Sequence, residues 1–198
     1  MSRGRPREFD ADQALDRATD VFWRQGYDGT SITDLTSSLG ISAPSLYAAF
    51  GNKRQLFDKV MDRYMQTRLV RRAKALALDD PVEAARNYLE GVVRDGTMPD
   101  HPKGCLMVGG ALACSDANRD VADQLATLRI DVRKDLQALF ARAIEAGRLP
   151  ADADAASLGA YVTTVAQGIS VDASDGASRQ SLMKVVEVAL SALPTPAI

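Results

Sequence analysis

The stretch ISAPSLYAAFGNK carries hydroxyls at Ser42, Ser45 and Tyr47 and a cation at Lys53, with no charged residue between Ile41 and Phe50. The outward groups of a helix over 42–50 are small or neutral: Ser42, Ala43, Ser45, Tyr47, Ala48 and Ala49. Such a helix lets its backbone come close to base edges. Serine hydroxyls hydrogen-bond bases or phosphate, and alanine methyls meet thymine methyls. Tyr47 and Lys53 suit the phosphate backbone, which supplies position rather than sequence. This is binding chemistry, not bond-breaking chemistry.

The other reactive residue types are sparse. The chain has two cysteines, Cys105 and Cys114, and one histidine, His101. Cys105 follows Lys103 and Gly104 at an expected helix start, where a cation and the helix dipole lower a thiol pKa. A thiol sensor with Cys114 as resolving partner is one reading; a buried structural cysteine is the other. If both lie on one helix, nine residues separate them by about 13 Å, beyond the ~7 Å Cα limit of a disulfide. His101 and Cys105 supply two of the four or so ligands of a structural zinc site, with no further cluster. No acid/base or nucleophile constellation stands out, so neither metal, cofactor nor enzymatic activity is expected.

The elements that hold these residues read as helices. Ala11, Ala14, Leu15, Ala18, Val21 and Phe22 recur at three- and four-residue steps. Asp10 caps this helix and Gly26 stops it. TSITDLTSSLG forms a short helix with Ile32, Leu35 and Leu39 on one face and Thr30 or Ser31 as cap. Ser42 caps the next helix, and Pro44 sits in its first turn. Two short helices joined by a tight turn containing Gly40 fit a helix-turn-helix, held together by Leu35, Leu39, Ile41 and Leu46. Asn52 caps a longer helix over 52–78. A helix over 82–94 and a loop over 96–103 follow. GCLMVGGALACS reads as an apolar buried helix. Val121, Leu125, Leu128, Val132, Leu136, Leu139 and Ala143 form a long amphipathic stripe, ended by Gly147 and Pro150. Two last helices cover 153–171 and 178–193, with SDGAS as the turn between them. No strand pattern is convincing. The expectation is an all-α chain of about nine helices: an N-terminal three-helix unit over 1–52, a connecting helix over 53–78, and a C-terminal helical domain over 79–198.

Composition agrees with that plan. The 198 residues hold 24 Lys+Arg and 26 Asp+Glu, with 46% hydrophobic content. A net charge of -2 argues against indiscriminate polyanion binding, so any nucleic-acid contact comes from local patches. One such patch is MSRGRPR, with Arg3, Arg5 and Arg7 alternating with Gly4 and Pro6. The start lacks the apolar run of a signal peptide, and no stretch nears the ~18 apolar residues of a membrane span. The expected location is the cytoplasm, with no membrane partner.

The stretch SITDLTSSLGISAPSLYAAFGNKRQLF, with VFWRQGYDGTSI before it, resembles the DNA-binding domain of the TetR family of transcriptional repressors. The likeness is specific over residues 9–60. It implies a homodimeric repressor with an N-terminal helix-turn-helix, a dimer interface on the last two helices, and a C-terminal domain that binds a small molecule. Carried over by position, it implies DNA contacts at Thr33, Ala43, Pro44, Ser45, Tyr47, Ala49 and Lys53. The N-terminal Arg3-Gly4-Arg5-Pro6-Arg7 resembles an AT-hook core, whose arginines lie in the narrow, electronegative minor groove of A·T-rich DNA; the alternative is a solvated tail. Candidate lining groups for the effector are Tyr88, Met98, Cys105, Met107, Phe140, Tyr161 and Gln167, each equally readable as ordinary core. The few charges in 104–114 point to an apolar pocket and a neutral hydrophobic effector. Faces over 159–169 and 182–193 carry the small residues of a close dimer contact. A thiol-triggered regulator, or an activator or architectural binder using the arm, remain the rival readings.

Overall fold

In the computed structural model, residues 10–112 and 114–194 are described. Every element among them is helical. The order is α1 (Ala11–Gly29), α2 (Ile32–Leu39), α3 (Ala43–Phe50), α4 (Lys53–Leu76), α5 (Pro81–Gly96), α6 (Leu106–Gly109), a 3-10 turn (Asp116–Asn118), α7 (Arg119–Glu145), α8 (Ala155–Ser174) and α9 (Arg179–Ser191).

Local chemistry sets most of the boundaries. The Asp10 carboxylate accepts from the Asp12 and Gln13 amides, Asp80 from Val82 and Glu83, and Asp154 from Ala156 and Ser157. Ser31 and Asp34 close a capping box on α2, and Asn52 and Gln55 close another on α4. Each such cap contributes about 1 kcal/mol. Gly40, at φ +69, takes the left-handed conformation that turns the chain from α2 to α3.

Two apolar clusters organise the packing. The N-terminal cluster joins Phe22, Leu35, Leu46, Leu56, Phe57 and Met61. Phe22, Tyr27 and Phe57 meet there ring to ring, at centroid separations of 5.1–6.1 Å. Burying each such side chain contributes about 1.5–3 kcal/mol. The C-terminal cluster joins Leu89, Leu136, Phe140, Ile169, Leu182 and Val186 from α5, α7, α8 and α9. α4 belongs to both: its first half enters the N-terminal cluster, and Leu76 near its end enters the other. α6 and the start of α7 (Leu106, Val121, Leu125) also pack into the N-terminal cluster.

The structure corrects one element. The apolar run over 104–115 is not one helix: α6 stops at Gly109, and the chain leaves it by a turn at Gly110 and Ala111. The reason is a docking contact. The Tyr27 amide donates to the Gly110 carbonyl at 2.7 Å, so this carbonyl is committed to α1 rather than to a longer α6. Gly26 makes the approach possible. It breaks α1 at φ +70, and a Cβ there would stand 3.2 Å from the Gly110 oxygen. The geometric argument against a Cys105–Cys114 pair on a single helix therefore lapses.

Candidate nucleic-acid interface and internal cavity

α3 turns one side inward and one outward. Leu46 and Phe50 are buried against α1, α2 and α4. Ser42, Pro44, Ser45, Tyr47, Ala48 and Ala49 are exposed, and Ala43 is half-buried. No charged side chain lies on this helix. The Ser42 hydroxyl caps α3 by accepting from the Ser45 amide, and the two hydroxyls lie 2.9 Å apart. Thr33, in the first turn of α2, is exposed. Lys53 begins α4 with its ammonium over the Tyr27 ring, 4.4 Å from the centroid. Burial lowers its pKa, against the pull of the Asp28 carboxylate. The outer surface around α3 thus gathers Thr33, Ser42, Pro44, Ser45, Tyr47 and Ala49 on two short helices, with Lys53 held at the edge. Arg3 and Arg5 lie outside the described residues.

Three sets of polar contacts stand out between the N-terminal unit with α4 and the rest of the described residues. Tyr27 holds Gly110, as described. The Asp28 carboxylate accepts from the Ser115 amide and the Asn118 side chain, and these bonds lower its pKa. Arg54 pairs with Asp58 and Asp120 and donates to Gln124, which ties α4 to α7.

A cavity of about 330 Å³ lies between α4, α5, α6, α7 and α8. Of the residues the sequence nominates for an effector pocket, Tyr88, Cys105, Met107 and Gln167 line it together. Three do not, and these are corrections. Phe140 is wholly buried in the C-terminal cluster. Tyr161 lies between α8 and α9, donates to the Ala189 carbonyl, and lines a separate hollow. Met98 stays in the α5–α6 loop, where its carbonyl accepts from Lys103. Residue type marks all three as apolar but cannot say which side of a helix bundle is hollow.

The expected apolar lining holds for part of the wall only. Met65, Leu78, Val92, Met107, Val108 and Val132 provide it. Arg68, Arg71, Arg72, Lys74, Arg94 and Arg129 also line the cavity, and the sequence reading did not single them out. They come from α4, α5 and α7, not from the 104–114 segment on which the expectation rested. RLVRRAK, over 68–74, was the visible signal, since it sets four cations within two helical turns.

Tyr64 sits where cavity and helix-turn-helix meet. Its hydroxyl accepts from the Leu106 amide at 3.1 Å and donates to Cys105 Sγ at 3.3 Å. Burial holds its phenol well above the usual tyrosine range, with Cys105 adding to the effect. Burial likewise pushes Tyr88 up. Cys114 has different surroundings, beside Asp28, Asp120 and Lys53, and burial raises its thiol. Both thiols are free. His101 stacks on Trp23 and faces Asp20 at 3.7 Å.

Comparison with known proteins follows this division. Residues 14–60 match the model of the bacterial regulatory proteins of the tetR family, and residues 81–188 match the tetracyclin repressor-like C-terminal domain. The chain is 34% identical over 195 residues to the HTH-type transcriptional repressor ComR of Escherichia coli K12, spanning 98% of this chain and 93% of that protein. It is 37% identical over 122 residues to the repressor BdcR of the same organism, covering 61% of this chain and 62% of that one. A solved TetR family regulator, a cysteine mutant of CifR complexed with 26-bp double-strand operator DNA, superimposes with a TM-score of 0.90 at 39% identity, covering 96% of this chain and all of that one. The chain belongs to the TetR family and is a DNA-binding transcriptional repressor, not an enzyme.

Proposed function

We propose that this repressor works as a homodimer on an inverted-repeat operator and is released by a small molecule bound in the cavity. The observation that carries the reading is the position of the cavity. Its wall residue Cys105 leads straight into α6, which Tyr64 holds at Leu106 and Tyr27 holds at Gly110. A ligand that favours one placement of α6 and α4 therefore biases the angle of the helix-turn-helix. It acts only through its differential affinity for the two states.

The dimer rests on α8 and α9. Val171, Val185 and Val188 are exposed there, Val188 at 71%. Two copies paired through this surface would set two α3 helices about 34–36 Å apart, or a multiple, in successive major grooves. Thr33, Ser42, Ala43, Pro44, Ser45, Tyr47, Ala49 and Lys53 are the groups that face the operator in this reading. Arg3 and Arg5 add charge beside them. The protein would act where the DNA is, in the cytoplasm.

The test has two steps. Selection from a random DNA library should enrich an inverted repeat bound by two copies, as read by sedimentation. The small-molecule fraction of a cell extract should then release the protein from that fragment, but not a Gln167→Trp variant whose cavity is filled. Release of both alike would place the effector elsewhere, and enrichment of no sequence would end the operator reading.

A second reading, control through the Cys105 thiol, is favoured by one contact: the Tyr64 hydroxyl donates to its sulfur at the cavity wall. It expects peroxide to weaken DNA binding by wild type but not by Cys105→Ser. Equal responses would remove it.

A further inference from the structure

We propose that the cavity takes a small amphipathic carboxylate, with its carboxylate on Arg129 and Arg68 and its apolar body along Met65, Met107 and Val132. This rests on the reading of the cavity as the effector site and names the class of ligand.

Six cations line the cavity against one carboxylate, Asp95. Arg71 and Arg94 both pair with Asp95, at 2.8 and 3.3 Å. Arg72 pairs with Asp135 at 2.9 Å. Lys74 is exposed, so water serves it. Two guanidiniums are left. Arg68 lies over the Tyr64 ring, 3.4 Å from its centroid, and donates to the Tyr64 carbonyl. Arg129 donates to the Met107 carbonyl at 2.7 Å. Neither has a carboxylate partner among the described residues.

Arg129 is the more telling of the two. It is half-buried in the middle of α7, and burial lowers its pKa, opposed by the Cys105 thiol but by no carboxylate. A cation taken from water without a counter-ion is costly, and the cost is recovered when an anion joins it. A guanidinium offers parallel N–H groups that a carboxylate accepts two at a time.

The two free cations belong to the same end of the cavity. Arg68 stacks on Tyr64, Tyr64 hydrogen-bonds Cys105, and Arg129 feels the Cys105 sulfur electrostatically. The carboxylate would thus sit against the Tyr64–Cys105–Leu106 junction, where α6 is held. Apolar side chains, Met65, Met107 and Val132 among them, line the cavity as well. At about 330 Å³ the cavity is at the low end of ligand pockets, which run roughly 300–1,000 Å³. That suits a single headgroup on a short chain or ring rather than a nucleotide.

Titration calorimetry on the intact protein tests this with three probes that share one chain: octanoate, octanamide and octylamine. Octanoate should bind about tenfold tighter than octanamide, and octylamine should not bind. Arg129→Gln should bring octanoate level with octanamide and leave octanamide unchanged. If that variant does not fold, Arg68→Gln gives the same reading with a smaller loss. Octyl phosphate is the further arm: binding tighter than octanoate would overturn the carboxylate in favour of a phosphate ester. Octanamide binding as tightly as octanoate would overturn the anionic class while the cavity reading stood. If none of the probes binds, the proposal falls, and release by cell extract decides the cavity reading separately.

Discussion

The outer face of α3 and the wall of the cavity reverse the expected placement of charge. DNA is a polyanion, yet the α3 face proposed to meet it carries alanine, serine and tyrosine. The cavity can hold only a small molecule, yet six cations line it. The difference follows from what each surface must recognise. In the proposed reading, a duplex repeats its phosphates along its length, so a cation at the edge such as Lys53 suffices. A small helix face then gains by approaching bases closely. A small ligand presents its charge once, inside a low-dielectric space, so its counter-charge must be built into the wall.

The hardest test of this contrast removes what holds α3 in place. Leu46 is fully buried beneath the outward residues. Leu46→Ala should cost about 2–5 kcal/mol of stability, seen as a lower melting temperature and as loss of binding to the selected DNA fragment. A variant that melts like wild type would show that the scaffold does not fix the reader. Ala49→Glu attacks the face itself. It should leave melting unchanged and weaken DNA binding by the ~1–3 kcal/mol of one good base contact, because an acid is set against phosphate. Unchanged affinity would mean that this face does not meet DNA.

These two substitutions fall where the sequence was easy to read. The spacing of Leu35, Leu39 and Leu46 and the caps at Ser31, Ser42 and Asn52 are local signals, and the folded chain uses them locally. The long stripe from Val121 to Ala143 became α7 for the same reason. The cavity is different. Its wall combines Arg68 from α4, Arg94 from α5 and Arg129 from α7, and no periodicity within one helix says that these converge. The failed helix over 104–115 has a similar cause, since Gly110 answers to Tyr27, more than 80 positions upstream. Composition around Cys105 bears on one wall of the cavity and not on the arginines that α4, α5 and α7 bring to it.

A smaller effect sharpens the edge-charge half of the comparison. Arg3, Arg5 and Arg7 should add to affinity without choosing bases in the major groove. A chain lacking residues 1–7 should bind the same selected sequence, with the slope of log affinity against log salt reduced by about 2. An unchanged slope would make the segment a solvated tail, leaving Lys53 and helix N-termini to hold the phosphates.

The finest test asks whether the two regions speak to each other through the contacts between them. Asp28 ends α1 within the helix-turn-helix and binds Ser115 and Asn118 in the segment that leads from α6 to α7. Those hydrogen bonds hold its carboxyl below 3.8. A depressed pKa means that the tie contributes above the ordinary aspartate value and is lost as pH falls through the folded-state value, so it is fully formed at neutral pH. The group is exposed, so its share of stability is small and Asp28→Asn should barely move the melting temperature. Its effect should fall on coupling. DNA affinity without effector and ligand affinity without DNA should both stay near wild type, while the ligand-induced loss of DNA affinity shrinks severalfold. If coupling survives intact, the signal passes through the other contacts, the Arg54–Asp120 pair among them; the double variant Asp28→Asn, Arg54→Gln should then show the loss, because two contacts that share one rigid junction are not additive.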